Sequence, residues 1–247
     1  MPAHVFGEER VSRWLIVCDH ATNVLPPWVP APNLGLPDEE LHRHIAYDIG
    51  AAGVALRLAE RLKAPAVMSN FSRLVIDPNR GEDDPTLVRR LYDETIIPAN
   101  RGLTPNDLQR RIDLCYRPYH RAIERMAARR SDTVILSIHS FTPQLRHHEL
   151  RPWHIGLLFA DDARLSLPLG KLLEAEGDLV VGMNEPYSGY LAGDTIDRHA
   201  IRKGRHNTLI EIRNDLIADD AGQHAWADRL SELLPRALRM AENRQGG

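Results

Sequence analysis

Six short and almost continuously apolar segments constrain the fold of this 247-residue chain more than any other feature. They lie at residues 13–18, 66–69, 133–138, 155–159, 179–182 and 208–212, and helical patterns separate several of them. Strands that are apolar on both faces are typical of parallel sheets buried between two layers of helices. The pattern therefore predicts a three-layer α/β fold with a mostly parallel central sheet and helices on both faces.

The helical patterns have recognisable boundaries. One pattern runs over residues 37–63, with a proline followed by an acidic first turn. A second begins with Thr104 as the N-cap, and Pro118 is expected to kink it or divide it. A third, at about residues 219–243, is expected to cover the sheet. Because no repeat or flexible linker interrupts the pattern, we expect one α/β domain over residues 1–247.

Charge and composition exclude several classes of function. The net charge of −3 provides no basic field that would attract nucleic acid. The sequence has no run of about 18 apolar residues that would suggest a membrane span, and it shows no pattern of a signal peptide. We therefore expect a cytoplasmic protein without a nucleic-acid or membrane partner, with a homo-oligomer as an open possibility. Since the chain has twelve histidines and only two cysteines, a metal site is expected to use histidine and carboxylate ligands.

Polar residues of catalytic type follow the apolar segments. His20 follows the first segment and His139 the third. The carboxyl ends of parallel strands form one edge of a sheet, where ligands bind, so these two histidines are candidate zinc ligands. The third ligand is expected to be either Asp48, which is predicted on the first helix, or Asn23. The negative charge of the carboxylate favours Asp48. The alternative is that the histidines only cap turns and that Asp48 caps a helix or pairs with an arginine.

Glu211 lies in a run that otherwise fits a buried strand. Burial of an unpaired carboxylate is costly, so this residue either pairs with Arg213 on the same strand face or has a chemical role. The second interpretation makes it a general base, with a pKa raised by burial, that takes a proton from water at the metal. Cys18 as a nucleophile is a weaker alternative, because a thiol on a strand is expected to be buried and inert.

Residues 69–81 combine two arginines and two asparagines with proline and glycine. Arginine binds carboxylates through two parallel hydrogen bonds, so Arg73, Asn79 and Arg80 suit an acidic substrate. Alternatively, the arginines pair with the acidic residues that follow. The loop at 182–190 contains two tyrosines and is either a specificity loop or an ordinary connection.

Six ordered motifs together resemble the N-formylglutamate amidohydrolase family. They lie at residues 19–23, 47–50, 72–80, 137–140, 184–189 and 210–216, within a similarity that covers about residues 14–217. The resemblance implies the fold of the zinc-carboxypeptidase and aspartoacylase group, a mixed central sheet with helices on both faces. It also implies metal-dependent hydrolysis of an N-acyl amide on an acidic amino acid, with formate and glutamate as products of the named activity.

The wider group holds zinc with a His-x-x-Glu pair and a later histidine, binds the substrate carboxylate with an Asp-x-Asn-Arg segment, and uses a late glutamate as the base. By this resemblance, those roles fall on His20, His139, Asn79, Arg80 and Glu211. The sequence departs from the wider group at Asn23, where the group has a glutamate ligand.

The sequence therefore predicts a zinc-dependent amidohydrolase that removes a formyl or other small acyl group from an N-acyl acidic amino acid such as N-formyl-glutamate. The expected ligands of zinc, or of another divalent metal, are His20, Asp48 and His139, and the expected catalytic residues are Glu211 as base and Arg73 at the oxyanion. The residues expected to bind substrate are Asn23, Asn79, Arg80, Ser140 and Arg213. Alternatives are a metallo-exopeptidase, a deacylase for another acyl group, or a non-catalytic binder of acidic metabolites.

Overall fold

A computed structural model describes residues 1–29 and 31–243 and contains a seven-stranded mixed sheet. The strands of the protein are β1 (Ala3–Phe6), β2 (Trp14–Cys18), β3 (Ala66–Ser69), β4 (Leu91–Tyr92), β5 (Thr95–Ile96), β6 (Val134–Phe141), β7 (Ile155–Leu158), β8 (Val181–Met183) and β9 (Asn207–Arg213). β4 and β5 form a separate small hairpin, and the other strands form the sheet. The strand order in the sheet is β1-β3-β2-β6-β9-β7-β8.

The four central strands β3, β2, β6 and β9 are parallel, as the apolar segments predicted. β7 pairs antiparallel with β9, β8 is parallel to β7, and β1 is antiparallel to β3 at the edge. Each of the six predicted segments overlaps a strand of the sheet. β1 was not predicted, because its residues alternate between partly buried and exposed positions and therefore form no apolar run.

Helices cover both faces of the sheet. They are α1 (Asp38–Leu41), α2 (Ala51–Arg61), α3 (Pro98–Arg101), α4 (Pro105–Arg111), α5 (Arg117–Ala127), α6 (Ser166–Glu174), α7 (Thr195–His199) and α8 (Asp220–Asn243). Short 3₁₀ turns lie at Pro32–Gly35, Ile201–Lys203 and Asn214–Leu216, and one π-helical turn lies at Ile112–Tyr116. Among residues 1–29 and 31–243, no helix has the length and apolar character needed to cross a membrane.

Alternate residues of the central strands enter two different hydrophobic cores. In β2, Trp14, Ile16 and Cys18 pack in the core formed with α2, α6 and α8, whereas Leu15 and Val17 pack in the core formed with α5. This alternation follows from the two-residue period of a strand. The predicted three-layer arrangement, with a mostly parallel sheet between two helical layers, is therefore confirmed.

The prediction of one helix over residues 37–63 is wrong. α1 ends at Leu41 and α2 begins at Ala51, with turns between them. Gly50 adopts a left-handed conformation with φ of 79°, and a Cβ atom at this position would lie 2.1 Å from the carbonyl oxygen of Ile217. Only glycine fits such a close approach, and the sharp turn here interrupts the helix. Asp48 therefore lies in a turn rather than on a helix, and its backbone N–H donates to the carbonyl of His20.

The second helical pattern behaves as predicted. The hydroxyl of Thr104 accepts from the backbone N–H of Asp107 at 3.2 Å, which forms a capping box at the start of α4. Pro118 lies in the first turn of α5, and the π-helical turn separates α5 from α4. The chain thus accommodates the proline at a helix start, where its missing N–H costs little.

Candidate active site

The candidate site lies at the carboxyl ends of β2, β6 and β9, on the face of the sheet that α5 covers. His20 comes two residues after β2, whereas His139 lies inside β6 and not after it, because the strand continues to Phe141. His139 is directly opposite Glu211 of β9 in the parallel register. Both share a strand face with residues of the α5 core, so their side chains lie on the same side of the sheet.

Three buried side chains converge here. His139 Nδ1 lies 2.8 Å from Oδ2 of Asp48, and His20 Nδ1 lies 3.2 Å from the same oxygen. The imidazole rings meet edge to face, with their centroids 4.9 Å apart. One ligand atom from each of the three residues lies within 4.8 Å of the other two. The structure thus brings together the three residues predicted as metal ligands.

The other ring nitrogen of each histidine faces a second carboxylate. His20 Nε2 lies 2.7 Å from Oδ1 of Asp77, and His139 Nε2 lies 3.1 Å from Oδ2 of Asp19. A neutral imidazole that donates from Nε2 directs the lone pair of Nδ1 toward Asp48. In that neutral form, the two lone pairs and the carboxylate oxygen that face one another repel unless a cation, either a proton or a metal ion, lies among them. The arrangement therefore fits a divalent metal whose histidine ligands are oriented by outer carboxylates.

Asp19 is held by several donors besides His139. The hydroxyls of Tyr119 and Thr195 donate to Oδ1 at 2.9 and 2.7 Å, and the hydroxyl of Ser137 donates to Oδ2 at 3.1 Å. Burial alone would raise the pKa of Asp19, but the hydrogen bond from His139 and the nearby imidazoles lower that pKa to about 2. Asp19 therefore stays ionised and keeps His139 in one orientation.

Arg73 forms ion pairs with Asp48 and Asp77, the two other carboxylates that contact the histidines. Its guanidinium donates from Nη1 to Asp48 at 3.3 Å and from Nη2 to Asp77 at 2.9 Å, and its side chain is itself buried. Against the effect of burial, the charge of Arg73 and that of His20 hold the pKa of Asp77 well below its usual range. Burial likewise opposes ionisation of Asp48, but His20 and His139 hold the pKa of Asp48 well below its usual range. Both carboxylates are therefore anionic, as metal ligation and orientation require.

Glu211 differs from these paired acids. It is 7% exposed, and its Oε2 atom is buried without a hydrogen-bond partner in the described part of the chain. Burial, helped by the charge of Asp48, raises the pKa of Glu211 to about 7, although His139 acts in the opposite direction. The alternative pairing with Arg213 is not found, because that guanidinium instead binds Asp215 at 2.8 Å.

These groups surround a cavity of about 310 Å³. The predicted residues that line it are His20, Asp48, Arg73, Asn79, Arg80, His139, Ser140 and Glu211. Asn23 and Arg213 are not among the described residues of the lining, and the Asn23 side chain donates to the carbonyl of Leu41. The structure thus gathers eight of the ten predicted side chains around one cavity.

Several residues of the site were missed in the sequence. Asp19 precedes His20, and Asp77 lies two residues before Asn79, so both stood beside candidate residues. Further residues that line the cavity are His44, Arg89, Tyr92 and Asp194, whereas Tyr187, also in the lining, belongs to the loop at 182–190 that the sequence indicated as a possible specificity loop. Asp19 and Asp77 could have been found from the sequence, because each is an acidic residue close to a candidate site residue. For Arg89 and Tyr92 the sequence offered none, because they follow no apolar strand.

Cys18 lies on the other side of the sheet. Its side chain packs in the core with α2 and α8, and burial raises the pKa of its thiol well above the usual value. The thiol is therefore protonated at neutral pH, and Cys18 is not among the described residues that line the cavity. These observations count against the weaker alternative of a cysteine nucleophile.

This chain is similar to known proteins over most of its length. A family model described as N-formylglutamate amidohydrolase matches residues 12–218. The chain is 25% identical over 194 residues to the N-formylglutamate deformylase of Pseudomonas putida, covering 72% of this chain and 68% of that protein.

Two crystal structures have a similar fold. A gene product of Agrobacterium tumefaciens matches with a TM-score of 0.91 and 36% identity, over 98% of this chain and 96% of the other. The N-formylglutamate amidohydrolase of Ralstonia eutropha matches with a TM-score of 0.73 and 23% identity, over 100% and 99% of the two chains. Because the Ralstonia eutropha protein is only 23% identical to this chain, its similarity concerns the fold alone.

Proposed function

Since the chain belongs to the N-formylglutamate amidohydrolase family, we propose that it hydrolyses the amide of N-formyl-glutamate or of a closely related N-acyl acidic amino acid. Water adds to the acyl carbon, the C–N bond breaks, and the products for the formyl substrate are formate and glutamate. The similarity to a deformylase of Pseudomonas putida supports this reaction. Within the described residues, the cavity that surrounds the three candidate ligands provides the place for it.

The observation that most supports the proposal is the environment of Glu211, which is buried and has a raised pKa. Its buried carboxylate has one oxygen without a partner in the described part of the chain and a pKa of about 7, and it lies opposite a candidate metal ligand on the wall of the same cavity. A purely structural acid in such a position is expected to be paired, as Asp19, Asp48 and Asp77 are. Glu211 instead has the free oxygen and the pKa that a general base at neutral pH requires.

We propose that His20, Asp48 and His139 hold a divalent metal, with zinc as the first candidate because imidazole and carboxylate ligands suit it. When bound, such an ion polarises the acyl carbonyl and lowers the pKa of water. Asp19 and Asp77 hold the two imidazoles so that each Nδ1 faces Oδ2 of Asp48, and these three atoms would hold the ion.

Glu211 moves the proton in the proposed reaction. Its carboxylate takes a proton from the attacking water as the new C–O bond forms. The same group then gives that proton to the amide nitrogen as the C–N bond breaks, so that the amino acid leaves as a neutral amine. A pKa of about 7 suits both transfers, because the carboxylate and the carboxylic acid are then similar in free energy.

Arginines and an amide orient the substrate in this proposal. Arg73 stabilises negative charge that develops on the acyl oxygen, and its two ion pairs fix its position. Asn79 and Arg80 bind a carboxylate of the amino acid. The Oδ1 of Asn79 accepts from the backbone of Thr195, and Arg80 donates to the Asn79 carbonyl, so both groups are held in place.

Ser140 has a structural contact that explains its place in the cavity. Its hydroxyl donates to the carbonyl of Ile49 at 2.7 Å, and its backbone N–H donates to Oδ2 of Asp48 at 3.3 Å. Ser140 therefore fastens the turn that carries Asp48 to strand β6. Contact between Ser140 and the substrate stays a prediction.

Purified protein tests the proposal directly. We expect about one zinc per chain and hydrolysis of N-formyl-glutamate, with slower turnover of N-acetyl-glutamate, N-succinyl-glutamate and dipeptides. Glu211→Gln is expected to retain the metal and to lose roughly 100- to 10,000-fold in kcat, because it removes the proton acceptor. Glu232→Gln, on the exposed side of α8, is the matched control. Full activity of Glu211→Gln, or of enzyme stripped by a chelator, would contradict the mechanism.

We also propose that residues 1–247 act as one domain, since one sheet contains strands from β1 to β9. Residues 30 and 244–247 lie outside the described part of that range. A homo-oligomer stays a prediction, which light scattering of the purified protein would test.

A further inference from the structure

Two arginines of the cavity wall are not neutralised. Arg80 and Arg89 both line the cavity, and neither forms an ion pair with another residue of the described chain. Arg73, by contrast, is paired with two carboxylates. The cavity therefore presents two cationic groups to a ligand, whereas one would suffice for a substrate with a single carboxylate.

The backbone of Arg89 is held in the cavity wall by a hydrogen bond from Asn100. Its carbonyl accepts from Nδ2 of Asn100 at 2.7 Å, and the same amide nitrogen donates to Leu74 at 2.9 Å. Asn100 is fully buried, and its Oδ1 accepts from the buried Arg111 at 2.8 Å. This network ties the backbone of Arg89 to the segment that carries Arg73.

The guanidinium of Arg89 lies over the ring of Tyr92, with Cζ 4.5 Å from the ring centroid. The Cζ of Arg73 lies 5.4 Å from the same ring, so the aromatic side chain holds both cations near one another. The Nε of Arg89 is buried without a hydrogen-bond partner among the described residues. Burial and the charges of Arg73 and Arg80 lower the pKa of Arg89. An anionic ligand would relieve both the missing hydrogen bond and this crowding of like charges.

The proposed substrate has two carboxylates, one on the α carbon and one at the end of the side chain. Arg80 donates to the carbonyl of Asn79, whose N–H donates to Asp77, and Asp77 in turn binds the candidate ligand His20. Arg80 is thus connected closely to the reacting centre, as a group that binds the nearby α-carboxylate must be. Among the described residues, the guanidinium of Arg89 instead contacts the Tyr92 ring, which the guanidinium of Arg73 also contacts.

From this geometry, and resting on the proposed function, we infer that Arg89 binds the side-chain carboxylate of the substrate and restricts the enzyme to acidic N-acyl amino acids. Asn79 and Arg80 then bind the α-carboxylate, which every N-formyl amino acid carries. The side-chain carboxylate distinguishes glutamate from its neutral relatives, so discrimination between them depends on Arg89.

The test compares N-formyl-glutamate with its isostere N-formyl-glutamine, which lacks only the negative charge of the side chain. We expect Arg89→Gln to lower kcat/KM for N-formyl-glutamate by about 10- to 100-fold, mainly through KM, and to change that for N-formyl-glutamine less than about threefold. The neighbouring and exposed Arg90→Gln removes the same charge outside the cavity and is expected to change neither value beyond that limit. Arg89→Lys should recover part of the preference for glutamate.

Equal losses of Arg89→Gln on both substrates, or no loss on either, would overturn the inference while hydrolysis by the wild-type enzyme upheld the proposed function. Failure of the wild-type enzyme on every N-formyl amino acid would instead overturn the proposed function. In that case, calorimetric binding of L-glutamate and L-glutamine still decides the role of Arg89. A preference for glutamate that Arg89→Gln abolishes supports the inference, and an unchanged preference contradicts it.

Discussion

Two pairs of buried histidines in this protein have neighbours of opposite charge. His20 and His139 have ring centroids 4.9 Å apart, and His120 and His199 have theirs 5.2 Å apart. All four are at most 5% exposed. The first pair contacts three carboxylates, whereas the second lies near cationic side chains and has no carboxylate within hydrogen-bonding distance among the described residues.

The difference in charge determines what each pair can bind. Burial alone would lower the pKa of His139, but the hydrogen bonds that it donates to Asp19 and Asp48 raise that pKa well above the usual value. At His120 and His199, burial and the charge of Arg198 lower the pKa values to about 3 and 4. The first pair therefore favours a cation between its members, and the second stays neutral.

The neutral pair has a defined hydrogen-bonding pattern. His120 Nε2 lies 3.0 Å from the carbonyl oxygen of Pro78, so this nitrogen must be the donor. His120 Nδ1 is then an acceptor, and Nε2 of His199 donates to it at 2.9 Å. Two histidines that satisfy each other in this way need no metal. Burial and proximity alone thus do not identify a metal site; the surrounding carboxylates do.

Replacing one histidine in each pair should separate the two sites most strongly. We expect His139→Asn to lose the bound zinc and to lose activity by about 1,000-fold or more, since loss of a ligand should exceed the effect of losing an outer partner. His199→Asn is expected to keep about one zinc per chain, because it touches no candidate ligand. Mass spectrometric metal analysis with an activity assay measures both. Zinc retained at full stoichiometry in His139→Asn would refute the assignment.

A smaller effect is expected from the outer carboxylates, which the neutral pair lacks. Asp77→Asn replaces the acceptor of His20 Nε2 with an amide and should lower zinc affinity by about 10- to 100-fold. Competition with a chromophoric chelator measures this affinity. Asp215→Asn makes the same change at an aspartate that pairs with Arg213, outside the cavity lining, and should leave the affinity unchanged. Equal affinities of Asp77→Asn and the wild type would show that orientation by Asp77 is unimportant.

The neutral pair should make folding sensitive to acid. In the unfolded chain a histidine has a pKa of about 6.5, whereas His120 and His199 in the folded protein have values of about 3 and 4. Between about pH 4 and 6.5 the unfolded chain therefore binds more protons. The free energy of unfolding should fall as the pH decreases, by up to about 1.4 kcal/mol per pH unit for each histidine.

Urea unfolding at a series of pH values measures this slope. We expect His199→Gln to reduce it by up to about 1.4 kcal/mol per pH unit, and His148→Gln, at an exposed position, to change it little. The difference between variant and wild type is the relevant quantity, since Glu211, with a folded pKa near 7, contributes a slope of opposite sign. An unchanged slope in His199→Gln would mean that this histidine is not neutral in the folded protein.

The sheet and much of the candidate site were predictable because they depend on local patterns. Apolar runs identified six strands, and polar residues next to or within those runs identified His20, His139 and Glu211. The edge strand β1 and the break at Gly50 were missed. β1 lacks an apolar run, and the break at Gly50 reflects its close contact with Ile217, which is distant in the sequence. Such contacts leave no local pattern.

What the sequence alone determined is the class of fold and the kinds of side chain available, since strand period, helix caps and residue chemistry are local properties. The tertiary structure alone decided which of them meet. It placed Asp48 between two histidines, left Oε2 of Glu211 without a partner among the described residues, bound Arg213 to Asp215 and brought Arg89 to the cavity wall. The physical reason is that burial, register and the sign of neighbouring charges depend on residues far apart in the chain.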